Sequence, residues 1–250
     1  MNRRVRVLLI GAGGRMGTAV LAAADSTEGI VIAGTASRGD SPRPAVETCD
    51  VVIDFSHADA TADLCSACVR ELKPLVTGTT GHSAAQRKFL ERAAEKIAIV
   101  HAANFSIGVN VLFSLTRTAA QLLGEKFDLE IVEAHHRWKK DSPSGTAKRL
   151  AEILCDVRGG RYDTDVAHGR EGLSEERAAA QIGMHSIRGG DVVGDHTVIF
   201  AGSGERIELT HRASNRATFA LGALRAAQWV VDQPAGLYNM EDVLGLTNGK

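Results

Sequence analysis

The sequence is poor in cysteine and in aromatic residues, and it carries almost no net charge. Only 4 of its 250 residues are cysteine, and their irregular spacing does not indicate a disulfide framework. Aromatic residues make up 4% of the chain, and 29 Lys and Arg against 30 Asp and Glu leave a formal charge of −1. A balance of this kind excludes a generally basic nucleic-acid binder. Sparse cysteines favour a reducing compartment, so we expect a cytoplasmic protein.

Long apolar runs are also missing. No stretch approaches the roughly 18 apolar residues that a membrane span requires, and the short apolar run over 7–10 is too brief for the core of a signal peptide. Cys65 and Cys68 are spaced as Cys-x-x-Cys without a second pair, which favours buried thiols over a zinc site. A composition of 44% hydrophobic and 24% charged residues is that of a globular protein, here of one large domain or two smaller ones.

Short apolar runs alternate with helical patterns in the first half of the chain. The run over 5–10, followed by Gly11, is typical of a buried parallel strand. Further strands are predicted over 30–33, 51–53, 75–77 and 97–100, with helices over 16–24, 58–72 and 84–96. This alternation predicts an α/β fold built on a Rossmann-type, doubly wound sheet.

Beyond Asn104 the pattern changes to α+β. The sequence predicts helices over 109–123 and 145–157, and strands over 129–134, 181–187, 196–201 and 206–210, the last two joined by a hairpin turn at 202–204. The segment 158–177 is predicted to be a loop. We therefore expect a second domain over 107–215 with a mostly antiparallel open sheet. A closing helix over 218–231 and the tail would complete a dinucleotide-binding domain made of 1–106 and 216–250.

A glycine-rich loop directly follows the first predicted strand. Its residues are Gly11, Ala12, Gly13, Gly14, Arg15, Met16 and Gly17. Glycines let the backbone approach a pyrophosphate, and the helix that follows presents free N–H groups to it. The spacing is a variant of the dinucleotide pattern, because Met16 stands where a third glycine is expected. The alternative is a plain strand–helix turn.

The end of the second predicted strand bears on the choice of cofactor. About 20 residues after the loop, a nicotinamide-binding fold often has an acid that binds a ribose hydroxyl. This chain has Ser37 and Arg38 there, and no acid before Asp40. Arg38 would neutralise a 2′-phosphate, which favours NADPH; the alternative is a solvated surface charge.

The segment 130–147 carries the clearest chemistry. It contains His135 and His136, followed by three fixed cations, at the end of a predicted strand. A Ser-Gly-Thr turn then opens a helix, and Ser144 suits its N-cap. Cations beside a helix N-terminus predict a site for a multiply anionic small molecule, and histidine can transfer protons near neutral pH. An exposed basic loop is the alternative.

The whole run 130–147 resembles the signature of the 4-hydroxy-tetrahydrodipicolinate reductase (dihydrodipicolinate reductase) family of the diaminopimelate route to lysine. The resemblance extends to 11–17, 76–81, 102–106 and 194–196, and so covers nearly the full chain. It implies an NADPH- or NADH-dependent reduction of a small dicarboxylate, hydroxy-tetrahydrodipicolinate, to tetrahydrodipicolinate. It also implies a homotetramer, with no metal.

The resemblance further implies a role for particular residues. His135 would donate or accept a proton, and Lys139 would donate one near the ring nitrogen. The substrate carboxylates would be bound by His136, Ser144, Gly145 and Thr146. Besides the glycine loop and Arg38, the cofactor would be lined by Gly78, Thr79, Thr80, Ala102, Ala103, Asn104 and Phe105. This chain departs from many members at Ser37, where they carry an acid, and in a short stretch over 39–49.

Two other functions remain open at this point. One is a different two-domain nicotinamide-dependent reductase, such as an amino-acid dehydrogenase. The other is a non-catalytic dinucleotide sensor that retains only the glycine loop. His135 and Lys139 together argue against the sensor, because binding a cofactor requires neither.

Overall fold

A computed structural model describes residues 4–37, 46–173 and 175–246. The chain divides into two units, one made of Met1–Ile107 with Arg216–Lys250 and the other of Gly108–Asn215. Within the described ranges, no helix is both long and apolar enough to cross a membrane. The strands, in chain order, are β1 (Val5–Ile10), β2 (Ile30–Ala36), β3 (Val51–Asp54), β4 (Leu75–Thr77), β5 (Ala98–His101), β6 (Asp128–His135), β7 (Val166–His168), β8 (Ile182–Arg188), β9 (Gly194–Ala201), β10 (Arg206–Ala213) and β11 (Gly236–Tyr238). The helices are α1 (Arg15–Ala24), α2 (Thr61–Arg70), α3 (Ala84–Ala94), α4 (Ile107–Leu123), α5 (Gly145–Arg158), α6 (Tyr162–Asp165), α7 (Ala217–Val230) and α8 (Met240–Leu244).

The first unit is built on a six-stranded sheet with the order β11-β5-β4-β3-β1-β2. All of its pairings are parallel, and β1 lies between β2 and β3, where the strand order reverses. Val7, Leu8 and Leu9 have no exposed surface, as expected of a parallel strand covered on both faces. The predicted α/β fold is confirmed. Strand β11 was not predicted, because its sequence, Gly-Leu-Tyr, has no apolar run to mark it.

Helices cover both faces of this sheet. Helix α7 is buried along most of its length and packs against α1 and against β1, β3, β4 and β5. Helices α2 and α3 contribute to a separate apolar cluster that includes Leu64, Cys68 and Leu90. Helix α3 begins with a capping box, in which Ser83 and Gln86 satisfy each other's backbone N–H groups.

The second unit is built on a five-stranded sheet with the order β10-β9-β6-β8-β7. Strands β6, β9 and β10 pair antiparallel, and the β9–β10 turn at 202–204 is the predicted hairpin. Strands β6, β8 and β7 pair in parallel. The sheet is therefore mixed, and not mostly antiparallel as predicted. The reason is that the chain between β6 and β8 passes through helix α5, and a crossover through a helix returns the next strand in the same direction.

One face of the mixed sheet forms the core of the second unit. Leu129 and Ile131 of β6 have no exposed surface and pack with Leu150 and Leu154 of α5. Burial alternates along β6 and β9, so that the other face is partly exposed. The segment expected to be a loop over 158–177 contains α6 and β7, which have only 4 and 3 residues.

Candidate functional site

The glycine loop follows β1 and leads directly into α1. Gly11 has a φ of 81°, and a Cβ there would lie 2.4 Å from the Phe55 carbonyl oxygen. A Cβ on Gly17 would lie 2.3 Å from the Gly11 carbonyl oxygen. These two glycines allow the tight turn and the close approach of helix to strand. Beside Gly13, in contrast, a Cβ would meet only the Ser37 hydroxyl among the described residues, at 3.8 Å, so they leave the backbone there accessible to a ligand.

At the N-terminus of α1, no side chain of the helix competes with a ligand for the first backbone N–H groups. Gly14 is the N-cap and supplies no side-chain hydrogen bond, and no acidic residue lies in the first turn. The first N–H groups of a helix have no intrahelical partners and carry partial positive charge. The loop and helix together fit a pyrophosphate.

The loop after β4 is held by a buried carboxylate. Asp54, at the end of β3, is 2% exposed and accepts hydrogen bonds from the hydroxyls of Thr77 and Thr79, each at 2.8 Å. It also accepts one from the Ser56 hydroxyl at 2.5 Å. A Cβ on Gly78 would lie 2.2 Å from the Phe55 ring, so this position has no room for a side chain. No part in cofactor binding is predicted from the sequence for Asp54, Phe55 or Ser56.

The third segment follows β5. The Phe105 ring is 2% exposed and contacts Phe55 edge to face, with ring centres 5.7 Å apart. The Asn104 side-chain oxygen accepts a hydrogen bond from the Ser106 N–H at 2.8 Å. The predicted cofactor residues at 11–17, 78–80 and 102–105 therefore follow β1, β4 and β5, whose carboxyl ends share one edge of the sheet. Arg38 lies outside the described residues.

A buried carboxylate also organises the end of β6 in the second unit. Glu133 has no exposed surface, and its Oε2 lies 2.5 Å from Nδ1 of His135. It accepts two hydrogen bonds from the Arg188 guanidinium, at 2.9 and 2.7 Å, and one from the Ser144 N–H at 3.1 Å. Burial raises the pKa of Glu133, but the hydrogen bonds from Arg188 and His135 outweigh it and lower the pKa to about 2. Glu133 is thus a carboxylate at neutral pH.

His135 is 8% exposed and lies beside a second histidine. Burial lowers the pKa of His135, although its contact with Glu133 acts in the opposite direction. The His196 ring lies at a steep angle to it, with ring centres 5.2 Å apart, and its Nε2 is 3.0 Å from the Ser144 hydroxyl. Burial, followed by the charge of His135, lowers the pKa of His196 to about 3. Both imidazoles are therefore neutral near pH 7.

Helix α5 opens beside these histidines. Ser144 caps it by accepting a hydrogen bond from the Ala147 N–H at 3.2 Å, as predicted from the sequence. A Cβ on Gly145 would meet nothing within 4 Å, and no acidic residue lies in the first turn. Among the described residues, the space beside Gly145 at this helix N-terminus is therefore open to an anion.

The turn between β6 and α5 carries the remaining predicted residues. Lys139 pairs with the Asp141 carboxylate at 2.9 Å, and its side chain is 21% exposed. The charge of Lys139 contributes to the lowered pKa of His135. Nδ1 of His136 is buried and makes no hydrogen bond within the described residues, which leaves it available to a ligand.

No role is predicted from the sequence for Glu133, Arg188 or His196. Glu133 lies in the motif at 130–147 and His196 in the motif at 194–196, so the sequence did mark both as candidates. No sequence signal marked Arg188, because it is separated from Glu133 by 55 positions and meets it only through the β6–β8 pairing.

The cysteines take no part in the hydrogen bonds of either group of residues as described above. All four are buried free thiols, as expected for Cys65 and Cys68. Burial raises the pKa of Cys65 to about 12, which makes it unreactive. Within the described part of the chain, no group of three or more His, Cys, Asp or Glu is placed to hold a metal ion.

Comparison with known proteins gives matches over nearly the whole chain. The family models "Dihydrodipicolinate reductase, N-terminus" and "Dihydrodipicolinate reductase, C-terminus" match residues 5–105 and 108–244. A 4-hydroxy-tetrahydrodipicolinate reductase of Akkermansia muciniphila is 53% identical over 97% of this chain and 99% of its own length. One of Halorhodospira halophila is 46% identical over 95% of this chain and 98% of its own length.

A solved structure shares the fold. It is a dipicolinate-bound dihydrodipicolinate reductase from Paenisporosarcina sp. TG-14, with a TM-score of 0.78 and 24% identity. The match covers 94% of this chain and 97% of that one.

Proposed function

The chain belongs to the dihydrodipicolinate reductase family, and from this premise we propose which of its residues carry out the reaction. The chain is an NAD(P)H-dependent 4-hydroxy-tetrahydrodipicolinate reductase, so the two other functions considered above are set aside. We place it in the diaminopimelate route to lysine. The observation that carries the residue assignments is the cluster at the end of β6, where His135 and the Ser144 turn are hydrogen-bonded to one carboxylate.

The first unit would hold the cofactor. When bound, the dinucleotide supplies the hydride. Gly13 and the N-terminus of α1 suit its pyrophosphate, because a Cβ on Gly13 would meet so little and no side chain caps the helix. Residues 78–80, fixed by Asp54, and residues 102–105 would line the remainder.

The second unit would bind the substrate carboxylates. The N-terminus of α5 has open space beside Gly145, and Thr146 brings a hydroxyl to the same turn. Nδ1 of His136 is buried and has no hydrogen-bond partner among the described residues. Ser144 would shape this turn from its place between Ala147 and His196. A helix N-terminus stabilises a carboxylate by its dipole and by its free donors.

Protons would be handled by Lys139 and His135. The Lys139 ammonium has three donors and is partly exposed, which suits a group that delivers a proton to the ring nitrogen. His135 is neutral near pH 7 and faces Glu133 through Nδ1, so its Nε2 is free to accept a hydrogen bond or a proton. Cationic groups at this site also stabilise negative charge that develops on the substrate.

Substitution of these two residues tests the assignment. His135→Gln and Lys139→Ala should each lower kcat by about 10²–10⁴-fold, the range for loss of a general acid or base. The KM for the cofactor should hardly change, because both residues belong to the second unit. The assay follows nicotinamide absorbance with freshly generated substrate. Lys140→Ala, next in sequence and exposed, is the matched control and should retain wild-type kcat. Near-normal turnover in both variants would refute the assigned roles.

We also propose that the chain forms a homotetramer in the cytoplasm. The partly exposed face of the mixed sheet carries the apolar side chains of Val132, Ala134 and Ile199 beside the charged Glu130, a mixed surface suited to contact with another copy. Free thiols at all four cysteines suit a reducing compartment. Light scattering on Ile199→Lys, which places a charge on this face, should show smaller particles than wild type; an unchanged mass would refute the choice of interface.

A further inference from the structure

Glu133 has no direct part in the chemistry described so far. It has no exposed surface, so a substrate cannot touch it. Yet three separate segments donate hydrogen bonds to it: Nδ1 of His135 on its own strand, the Ser144 N–H at the start of α5, and the Arg188 guanidinium on β8. A buried carboxylate requires such partners, but their identity here is specific, since two of them belong to the proposed site.

Arg188 extends this arrangement to the turn that carries Lys139. It lies directly opposite His135 in the parallel pairing of β6 and β8. Besides its two bonds to Glu133, its Nη2 donates to the Asp141 carbonyl oxygen at 2.8 Å. The Asp141 carboxylate in turn pairs with Lys139 at 2.9 Å. One bidentate ion pair therefore reaches both proton-handling residues and the carboxylate-binding turn.

We infer that Glu133 and Arg188 are positioning residues, a pair that fixes the His135 proton on Nδ1 and ties the Ser144 turn and the Asp141 backbone to that histidine. The inference rests on the proposed role of His135. A carboxylate accepts hydrogen bonds and donates none, so a neutral imidazole facing Glu133 must carry its proton on Nδ1. Its Nε2 then presents a lone pair on the opposite side of the ring. Arg188 keeps Glu133 ionised and donates a hydrogen bond to each of its two oxygens. A lysine ammonium, which is a compact charge, would not bind both oxygens in this way.

The charges around His135 predict how its titration responds. It is faced by Glu133 from its own strand, Arg188 from β8, His196 from β9 and Lys139 from the following turn, with Ser144 at the start of α5. Among these groups Glu133 is the anion, and its charge favours the protonated form of His135, which raises the pKa of that histidine. Removing its charge should therefore lower the pKa of His135 further.

The experiment replaces Glu133 in the full-length enzyme. Glu133→Gln replaces one carboxylate oxygen by an NH2 group, which donates hydrogen bonds. The amide therefore cannot accept the hydrogen bonds of both Arg188 and His135 as the carboxylate does. We expect kcat to fall at least about tenfold, less than the loss for His135→Gln. The limb of the kcat/KM profile that belongs to His135 should move to lower pH. In ¹⁵N spectra of histidine-labelled protein, the Nδ1–H form of His135 should give way to a mixture of tautomers.

Glu130→Gln is the matched control. Glu130 lies on the same strand but on the opposite face, where Arg170, Arg177 and His185 donate to it. This variant also removes the charge of a half-buried, arginine-paired carboxylate, so an effect of losing such an ion pair from the sheet should appear in it as well. We expect its kcat, pH profile and His135 tautomer to stay at wild-type values.

Two further variants separate the outcomes. Arg188→Lys keeps the positive charge but loses the two parallel N–H donors of the guanidinium. It should shift kcat, the pH profile and the His135 tautomer in the same direction by a smaller amount, and it replaces Glu133→Gln as the test if that variant does not fold. In the double variant Glu133→Gln with His135→Gln, kcat should match that of His135→Gln within about twofold. Additive losses in kcat, or an unchanged tautomer and profile in Glu133→Gln, would overturn the inference. Normal turnover in His135→Gln would instead refute the proposed role of His135, while the tautomer spectra still decide whether the pair fixes the proton.

Discussion

At the scale of single residues, the glycines of the two units differ in what they make possible. Gly11, Gly17 and Gly78 exclude a side chain, because a Cβ on each would lie within 2.4 Å of another atom of the protein. Among the described residues, a Cβ on Gly145 would meet nothing within 4 Å, and one on Gly13 would meet only the Ser37 hydroxyl at an ordinary contact distance. The first three are therefore required by the fold, and the last two leave space for a ligand. The sequence shows all five as glycine and cannot separate the two roles.

Cofactor choice is also decided by single residues. We predict that Arg38→Ala raises the KM for NADPH at least about tenfold more than the KM for NADH, since an arginine opposite a 2′-phosphate forms charge-assisted hydrogen bonds. The Ser37 hydroxyl, one residue earlier, lies near Gly13 and hence beside the glycine loop. Steady-state kinetics with both cofactors give the answer, with NADH as the internal control. Equal losses for both would mean that Arg38 does not contact the phosphate.

At the scale of elements, the N-terminus of α5 is expected to hold a substrate carboxylate. Thr146→Val keeps the shape but removes a hydroxyl donor, which should cost about 1.5–3 kcal/mol of binding for a hydrogen bond to a charged group. Gly145→Val should bind still more weakly. A Cβ there would meet nothing within 4 Å in the described part of the chain, so the variant should fold while its side chain blocks the ligand. The measurement is the inhibition constant of pyridine-2,6-dicarboxylate, with melting temperatures recorded for each variant. An unchanged constant in Gly145→Val would place the carboxylates elsewhere.

The pairing of β6 with β9 should make stability depend on pH. His196 takes up a proton at about pH 6.5 when unfolded, but burial holds its pKa at about 3 in the folded protein. Between these values the unfolded state binds more protons, so stability falls as the pH falls, by up to about 1.4 kcal/mol per pH unit. Glu133, with a pKa lowered from 4.5 to about 2, adds a loss in the same direction below pH 4.5.

Denaturant unfolding at pH 7, 6 and 5 measures this slope. His196→Gln should reduce the slope and leave the contribution of His135, whose pKa is also lowered by burial, whereas His57→Gln, at a largely exposed histidine, should leave the slope as in wild type. A wild-type protein whose stability is constant over this range would contradict the prediction.

The same elements show how far local sequence pattern reaches. Most helices and strands were predicted, because their periodicity is local, and the Ser144 N-cap was predicted correctly from the motif at 130–147. Strands β7 and β11 were missed, since neither lies in a short apolar run such as the one that marks β4. The parallel pairing of β6 with β8, and with it the bond from Arg188 to Glu133, depends on contacts between distant parts of the chain. No local pattern encodes such contacts.

At the scale of the whole molecule, the two units have separate apolar cores and separate chemistry. The residues assigned to the cofactor lie in the first unit, and those assigned to the substrate lie in the second. We therefore predict that NADPH alone slows hydrogen exchange at residues 11–17. The dicarboxylate inhibitor alone should slow exchange at residues 144–147. A ligand at 100 times its Kd stabilises the unit that binds it by about 2.7 kcal/mol. Protection of the glycine loop by the dicarboxylate alone would contradict the division.

The first unit is discontinuous in sequence, and this has a consequence for the order of events during synthesis. Its chain leaves at Ile107 and returns at Arg216, and the returning part supplies α7 to the core and β11 to the sheet edge. A ribosome adding about 5–20 residues per second needs several seconds to make the intervening segment. The second unit is contiguous and can fold in that interval. The sheet of the first unit has by then been translated up to β5, and the surface that α7 will cover is still exposed. The half of the enzyme that is made first is therefore the half that is finished last, and it is the half that a chaperone would need to shield.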